Sequence, residues 1–331
     1  MRRTPWPLGL VAGCAIACTL VAPALGDVAV ERRDDRVDVT LDGKPFTSYV
    51  FKGHAKPILF PVVGPTGKGL TRQWPLVDGV EGEPKDHPHH ESLWFTHGNV
   101  NGLDFWAHKP SKQPADAPAA RPPQIEQIAI KATGGAEGVI ETENRWCAPD
   151  GTIVCTDTRR LVFAGNDDVR TIDHSITIRA DHGPVTFGDT KEGTLAIRVH
   201  PALQPKDVNG SRGAGGLILN SEGRRNAEAW GKPARWVDYS GVVGGEAVGI
   251  AIFDHPTNHG HPTHWHAREY GLFAANPFGL HDFAGGPPGA GAVTIPAGGS
   301  LSLRHLFVLH RGDAAAAGIA DRWTSWAAGK P

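Results

Sequence analysis

The sequence lacks most of the motifs by which common enzyme classes are recognised. It contains no G-x-S-x-G nucleophile elbow, no P-loop, no G-x-G-x-x-G after a strand and no H-E-x-x-H. No cysteine stands in a context that suits a catalytic nucleophile. The chemistry of this chain must therefore be sought in less familiar combinations of residues.

The sequence also has little net charge and few long apolar runs. Its 33 Lys and Arg residues nearly balance its 35 Asp and Glu residues, for a formal net charge of −2. Because the basic residues are not clustered, nucleic acid is not expected as a partner. Beyond the N-terminus, no stretch approaches the length of a membrane-spanning helix, so we expect no stable membrane span.

The N-terminus has the organisation of a secretory signal peptide. Arg2 and Arg3 precede an apolar stretch over residues 8–20, and small residues then flank a cleavage position after Gly26. The sequence predicts cleavage there, a periplasmic or extracellular location, and one mature domain over residues 27–331. An uncleaved N-terminal anchor is the alternative.

Only one Met and three Tyr occur, against 42 Gly, 27 Pro, 17 His and 10 Trp. Many Gly and Pro predict many turns, which suit short strands better than long helices. Strand-like segments run through most of the chain, and Asp42-Gly43 is typical of a type I′ hairpin. We therefore predict an all-β fold of two large stacked antiparallel sheets, with a closed barrel as the alternative. Only residues 313–326 have helical composition, with Asp313 as the expected N-cap.

Two cysteines remain after the predicted signal peptide. Cys147 and Cys155 flank the turn signal Pro149-Asp150-Gly151. The sequence predicts a hairpin here, and a disulfide across it would suit an oxidising compartment. The alternative is a pair of free thiols packed in the sheet.

The first segment with a chemical signature is residues 86–106, DHPHHESLWFTHGNVNGLDFW. It holds four histidines and three carboxylates within 21 residues. Imidazole serves as an acid, a base or a metal ligand near neutral pH. The candidates here are His89 and His90 for catalysis, and Trp94, Asn101, Asp104 and Trp106 for substrate binding.

The second segment is residues 254–271, in which five histidines fall within 12 residues. On an extended chain, His264 and His266 would share one face. The catalytic candidates are His264, His266 and Tyr270, and the binding candidates are Asp254, His255, Trp265 and, slightly later, Asn276.

The third segment, residues 187–200, brings two carboxylates to a turn before a strand. Asp189 and Glu192 are candidates for the paired carboxylates of glycoside hydrolysis. Arg198 and His200, with Arg72 from an earlier loop, are candidates for binding substrate. Spacing alone leaves open whether these groups converge.

These three segments, together with RWVDYSG and the run from FDHPTNHGHPTHWH to YGLFAANPFG, resemble the secreted bacterial family DUF6807, formerly described as "methane oxygenase PmoA-like". The resemblance spans about residues 27–312. It implies an antiparallel β-supersandwich similar to galactose mutarotase, and a role in carbohydrate degradation. Methane oxidation is not expected, because the chain lacks the hydrophobic spans of a membrane monooxygenase. At Glu91 the sequence departs from the basic residue expected after the paired histidines.

Three functions follow from these observations. The favoured one is a carbohydrate-active enzyme, a glycoside hydrolase or a lyase, acting on a sugar or oligosaccharide. The second is an enzyme or binding protein for a divalent metal. The third is a sugar-binding protein without catalysis. The histidines considered as metal ligands are His87, His89, His90, His264 and His266.

Overall fold

The computed structural model describes residues 1, 25–107, 121–205 and 215–329. Nearly all of the predicted signal peptide, residues 2–24, lies outside the described residues. None of the described helices is long and apolar enough to cross a membrane.

The described residues form mostly strands, with two short helices. The strands are β1 (Val28–Arg32), β2 (Arg36–Leu41), β3 (Lys44–Val50), β4 (Ile58–Leu59), β5 (Leu93–His97), β6 (Gln124–Thr133), β7 (Gly138–Cys147), β8 (Ile153–Gly165), β9 (Val169–Arg179), β10 (Val185–Phe187), β11 (Gly193–Arg198), β12 (Leu217–Asn220), β13 (Trp236–Val243), β14 (Glu246–Asp254), β15 (His264–Ala267), β16 (Leu272–Asn276), β17 (Val293–Ile295) and β18 (Ser300–Arg311). The helices are α1 (Leu280–Ala284) and α2 (Ile319–Ala328), and single 3₁₀ turns span Pro201–Leu203 and Asn226–Ala229.

Two eight-stranded antiparallel sheets stack face to face. The first sheet has the order β1-β2-β3-β4-β5-β11-β16-β15, and the second has the order β12-β13-β14-β18-β9-β8-β7-β6. Their inner faces share one hydrophobic core, to which Phe95 and Phe273 contribute from the first sheet and Ile250 and Phe307 from the second. The predicted antiparallel sandwich is therefore confirmed, and the alternative of a closed barrel is wrong.

Local turn chemistry explains how the first hairpin forms. Leu41 pairs with Lys44 across the two-residue turn. The turn residues Asp42 and Gly43 have φ angles of +49° and +71°. Both lie in the left-handed region that a type I′ turn requires, and Asp and Gly tolerate this region better than most residues. The predicted hairpin is confirmed.

The C-terminal helix is shorter than predicted. It begins at Ile319 after the N-cap Gly318, whereas the sequence indicated a start after Asp313. The Asp313 carboxylate instead accepts a hydrogen bond from the main-chain N–H of Ala316 at 2.9 Å, so it stabilises a preceding turn. Helix α2 covers the outer face of the second sheet with apolar side chains, among them Trp323.

The two cysteines lie in the predicted hairpin but do not form the predicted disulfide. Cys147 and Cys155 are both free and buried. A bulge at Val154 in β8 shifts the register here, so that Cys155 pairs with Trp146 while Cys147 pairs with Ile153. The expectation of a disulfide is wrong because the register does not set the two cysteines opposite each other.

Candidate active site

The outer face of the first sheet carries the candidate active site. The backbone register pairs Trp94 of β5 with Ala196 of β11, Ala196 with Ala274 of β16, and Ala274 with His266 of β15. Directly paired residues project from the same face of a sheet, so these four side chains form one row. Because the two central residues are alanines, the row leaves room for Trp106, which packs with Trp94 and both alanines in one buried cluster.

A cavity of about 590 Å³ opens on this face, a volume typical of small-molecule sites. All three segments singled out in the sequence contribute to it. Its lining consists of His87, His89, His90, Gly98, Asp104, Trp106, Ala107, Lys191, Glu192, His266, Arg268 and Tyr270.

An aspartate and a histidine form a dyad at this cavity. His87 Nδ1 lies 2.9 Å from Asp86 Oδ2, and the His87 side chain is 41% exposed. An imidazole that donates from Nδ1 to a carboxylate presents Nε2 as a proton acceptor. The backbone φ of His87 is +47°, in the left-handed region that non-glycine residues rarely adopt. Such conformations cluster at functional sites, and the dyad is therefore the leading candidate for proton transfer.

Two buried arginines hold the carboxylate of the dyad in place. Asp86 Oδ1 accepts hydrogen bonds from Arg72 Nη1 at 2.6 Å and from Arg198 Nη2 at 2.8 Å. Burial acts to raise the pKa of Asp86, but the hydrogen bond from His87 and the two guanidinium charges lower this pKa well below its usual value. Arg72 also donates to main-chain carbonyls of residues 84–90, so it organises the loop that carries the dyad. Both arginines are therefore buried groups that fix the position of the Asp86 carboxylate.

Four rings form a stacked column beside the dyad. The ring centroids are 5.3 Å apart for Tyr270 and His87, 4.8 Å for His87 and His90, and 5.3 Å for His90 and Trp94. The first two pairs are parallel to within 7°. The guanidinium of Arg198 lies 4.8 Å from the Tyr270 ring centroid. The column covers both faces of the His87 ring, so the edge of the ring is what a substrate can reach.

His90 is buried in this column with one nitrogen unused. Its Nδ1 accepts a hydrogen bond from Arg198 Nη1 at 3.1 Å, because arginine can only donate. Neutral His90 therefore carries its proton on Nε2, and that nitrogen has no hydrogen-bond partner among the described residues. Burial, and then nearby positive charges including His89 and Arg198, lower the pKa of His90 well below its usual value. His90 is thus a neutral ring whose remaining donor nitrogen is buried.

His266 has both ring nitrogens occupied. Its Nδ1 donates to the Lys191 carbonyl at 2.9 Å, and its Nε2 accepts from Arg268 Nε at 3.1 Å. Burial, followed by the charge of Arg268, lowers the pKa of His266 to about 3. A neutral ring with no free nitrogen is poorly suited to the acid or base role predicted for His266. The side chain instead positions Arg268.

Tyr270 is suited to donating a proton. Burial raises the pKa of Tyr270 to about 12, although the charges of Arg198 and Arg268 act in the opposite direction. A phenol with this pKa stays protonated at neutral pH, so among catalytic roles Tyr270 suits that of an acid better than that of a base.

The two carboxylates predicted as a catalytic pair do not converge. Glu192 lines the cavity, 3.5 Å from Lys191 Nζ. Asp189 instead accepts hydrogen bonds from two main-chain N–H groups within the segment 281–291. Asp104 also lines the cavity, but its Oδ1 accepts from two main-chain N–H groups of its own turn. Of these three carboxylates, Glu192 is therefore the one that is not held by hydrogen bonds from main-chain N–H groups.

Several other predicted site residues stabilise the fold outside the cavity lining. Asn101, His200 and Asn276 hydrogen-bond main-chain groups of neighbouring loops. Trp265 projects into the core between the sheets, where its Nε1 donates to a main-chain carbonyl. His264 shares the outer face of β15 with His266, as predicted, but stacks on a phenylalanine 6.0 Å away.

Asp254 and His255 belong to a separate buried cluster at the end of β14. Asp254 Oδ1 accepts from Asn258 Nδ2 at 2.7 Å, and Asp254 Oδ2 lies 2.6 Å from His261 Nδ1. His255 contacts the Trp326 ring of helix α2, with centroids 4.9 Å apart. Much of the histidine density in this second segment therefore serves to pack a loop.

The metal alternative finds no ligand set in the part of the chain that the structure describes. There, no group of three or more His, Cys, Asp or Glu side chains is arranged to hold a metal ion. Of the five histidines considered as ligands, His87 pairs with Asp86, His90 with Arg198 and His266 with Arg268.

Sequence reasoning missed several contributors to the site. Lys191 and Arg268 line the cavity, and Asp86 completes the dyad. Gly98 also lines it, and a Cβ there would lie 2.8 Å from the Cβ of Glu192, so only glycine fits without displacement. The signal for Arg268 was its position two residues after His266, which continues the alternation of the outer face.

Comparison with solved structures finds chains of low similarity. An alpha-galactosidase from Lactobacillus brevis is 9% identical, with a TM-score of 0.34, over 86% of this chain and 40% of that chain. A Glycoside Hydrolase Family 97 enzyme from Pseudoalteromonas sp. strain K8, in complex with panose, is 10% identical, with a TM-score of 0.34, over 88% and 35%. The Slr1438 protein from Synechocystis sp. PCC 6803 is 10% identical, with a TM-score of 0.34, over 90% and 100%. The chain thus spans 40% or less of these two glycosidases.

No curated protein matches the chain in sequence. A family of unknown function, DUF6807, matches residues 36–324. The match extends from the first residue of β2 into helix α2 and includes every segment that lines the cavity. The chain therefore belongs to the family DUF6807.

Proposed function

We propose that this protein is a carbohydrate-active enzyme of the lyase type, in which His87 removes a proton from a sugar bound in the cavity. The observation that carries the proposal is the Asp86–His87 dyad, held by two buried arginines and open to a cavity of about 590 Å³. We also propose export from the cytoplasm, on the basis of the predicted signal peptide.

The chemistry of the lining supports a sugar as the ligand. Trp106 and Tyr270 contribute aromatic side chains to the lining, and the exposed His87 ring adds a polar edge. Glu192 and Lys191 add charged groups that can bind hydroxyls. A concave site with aromatic walls and a few polar groups is the usual form of a small-molecule site.

The proposed step is an elimination. His87 Nε2 removes the proton from the carbon α to a carboxyl or carbonyl group of the sugar. The electrons of that C–H bond then form a C=C bond. The C–O bond to the neighbouring sugar breaks, and the departing oxygen takes the phenolic proton of Tyr270. Exchange with water returns one proton to Tyr270 and removes one from His87, so the balance closes without a further reactant.

Elimination is favoured over hydrolysis by the state of the carboxylates. Hydrolysis requires two carboxyl groups on opposite sides of the scissile bond. Asp189 is held by main-chain N–H groups outside the cavity, and Asp104 uses one oxygen in its own turn. Of the two carboxylates that line the cavity among the described residues, Glu192 is the one without a hydrogen bond to a main-chain N–H group.

A panel of oligosaccharides incubated with the purified chain from Asp27 onward tests the proposal. We expect a rise in ultraviolet absorbance from an unsaturated product, and His87→Gln should lower the rate by about 10²- to 10⁴-fold, the range of general base catalysis. His264→Gln is the matched control, because this histidine lies outside the cavity lining, and it should retain activity.

The other outcomes separate the alternatives. New reducing ends without an ultraviolet change would indicate hydrolysis, and binding without turnover would indicate a sugar-binding protein. Loss of activity with a chelator, restored by a divalent metal, would indicate the metal-dependent alternative. Either of the first two results would overturn the proposed elimination, whereas metal dependence would overturn an elimination carried by the side chains of this protein alone.

A further inference from the structure

We infer that the substrate of this cavity carries an oxyanion, a carboxylate on the sugar, and that Arg268 binds it. This inference rests on the proposed function insofar as it assigns the substrate class of the same cavity. Arg268 lines the cavity together with Lys191, Asp104 and Glu192. The Lys191 ammonium lies 3.5 Å from the Glu192 carboxylate, so Arg268 is the cation of this lining that has no carboxylate partner among the described residues.

Arg268 differs in its partners from three buried arginines of the chain. Arg72, Arg159 and Arg198 each have a guanidinium nitrogen within 3.0 Å of an aspartate oxygen. Arg268 has no carboxylate within ion-pair distance among the described residues, and the one hydrogen bond of its guanidinium there runs from Nε to His266. Its two terminal nitrogens are therefore left for a ligand, and they form the planar fork that matches a carboxylate.

The guanidinium of Arg268 is nevertheless held in a fixed position. It lies 4.7 Å from the Trp230 ring centroid, in a cation–π contact. His266 Nε2 accepts from its Nε at 3.1 Å, and the Lys191 carbonyl fixes the tautomer of His266 through Nδ1. A fork held from two sides loses little entropy when it binds an anion. An arginine that merely extended into solvent would not need this support.

A second cavity of about 300 Å³ adjoins the first. Its position favours an oligosaccharide over a single sugar as the substrate. Its lining includes Trp230, and it shares Arg268 and Tyr270 with the first cavity. An anion held by Arg268 would therefore sit between two subsites. The neighbouring sugar unit would lie against Trp230, so a trisaccharide should bind more tightly than a single sugar acid.

Calorimetric titration of the chain from Asp27 onward tests the inference without requiring turnover. The probes are trisaccharides of galacturonate, mannuronate and guluronate, their methyl esters, the single sugar acids and a sulfated galactose trisaccharide. We expect at least one uronate to bind, its ester to bind more weakly, and Arg268→Gln to weaken the acid by about 10- to 100-fold while leaving the ester unchanged. Arg268→Lys should restore only part of the affinity, because it keeps the charge but loses the fork.

His266 provides a second test, as a positioning residue. His266→Leu should weaken binding of the acid and leave the ester unchanged. His266→Gln should retain binding of the acid, because the glutamine amide oxygen can accept a hydrogen bond from Arg268 and the amide nitrogen can donate one to the Lys191 carbonyl. Circular dichroism would confirm that each variant is folded.

The opposing outcomes are distinct from failure of the proposed function. Equal binding of acids and esters, no uronate binding, or preference for the sulfated probe alone would overturn the carboxylate assignment. His87-dependent turnover of a neutral sugar would also overturn the carboxylate assignment, but it would support the proposed elimination. Uronate binding through Arg268 without any turnover would support the inference and contradict the proposed function.

Discussion

Replacement of Asp86 by asparagine is the perturbation with the most specific expected result. The Asp86 carboxylate accepts from Arg72, Arg198 and His87 at once. In Asp86→Asn, the amide has one oxygen to accept with and turns an N–H₂ group toward other donors. Two buried guanidinium groups would then lie side by side without a counter-charge, and His87 would lose the acceptor that fixes its tautomer.

The expected loss of stability follows from the burial of these charges. Removing one partner of a buried ion pair costs about 3–5 kcal/mol. The Asp86 side chain remains 15% exposed, so we expect the lower end of that range. For a domain of about 305 residues, with an unfolding entropy of about 2.1 cal/mol/K per residue, a loss of about 3 kcal/mol lowers the melting temperature by roughly 5 °C. Loss of the correct His87 tautomer should also lower kcat by about 10³- to 10⁴-fold, as for other carboxylate–histidine dyads.

Glu91→Gln is the matched control. The Glu91 side chain is also 15% exposed, and it pairs with Lys56 at 2.7 Å and His54 at 2.8 Å without lining the cavity. We expect a comparable decrease in melting temperature by calorimetry, with activity retained at a temperature where both variants are folded. If both variants lose activity equally, or if Asp86→Asn keeps full activity, the role assigned to the dyad is refuted.

Two further predictions concern stability and thiol chemistry. Acidification from about pH 7 to about pH 5 should destabilise the fold, because burial lowers the pKa of several histidines, to about 4 for His97 and about 3 for His266. Above the unfolded-state pKa near 6.5, the neutral form of each histidine contributes fully to the free energy of unfolding. As the pH falls from there toward the folded-state pKa, this contribution decreases by up to about 1.4 kcal/mol per pH unit for each histidine. Urea titrations that show the same free energy of unfolding at both pH values would contradict this prediction. Cys147 and Cys155 should react with a thiol reagent only after unfolding, because burial raises the pKa of both. Rapid labelling of the native protein, or no free thiols after denaturation without reductant, would contradict the free-thiol assignment.

The parts of the fold that could be predicted are those with alternating burial. Strand β2 alternates buried and partly buried residues, and β7 and β9 do so over longer stretches. Strands β5 and β16 were not predicted, because every residue in them is buried and the period of two is absent. On one face both strands contribute to the core between the sheets, and on the other face Trp94 and Ala274 are buried beneath the candidate site. Two strands that support the site therefore gave a weak signal.

For the site, the sequence indicated the correct segments but not the roles within them. Trp265 and His266 are adjacent, and the alternation of β15 sends the first into the core and the second toward the cavity. Asp86 and Arg198 are 112 residues apart, and only the arrangement of strands brings them to 2.8 Å. Local composition cannot fix either fact, because side-chain direction depends on register and ion pairing depends on topology.

Proton exchange at the substrate tests the role of His87 most directly. The assay follows the proton next to the sugar carboxylate by NMR in heavy water, with a uronate trisaccharide, for the wild type, His87→Gln and His264→Gln. We expect the wild type and His264→Gln to remove this proton and form an unsaturated product, and His87→Gln to do neither. Removal of the proton at the wild-type rate by His87→Gln, or a saturated product with the proton retained, would contradict the assignment of His87 as the base.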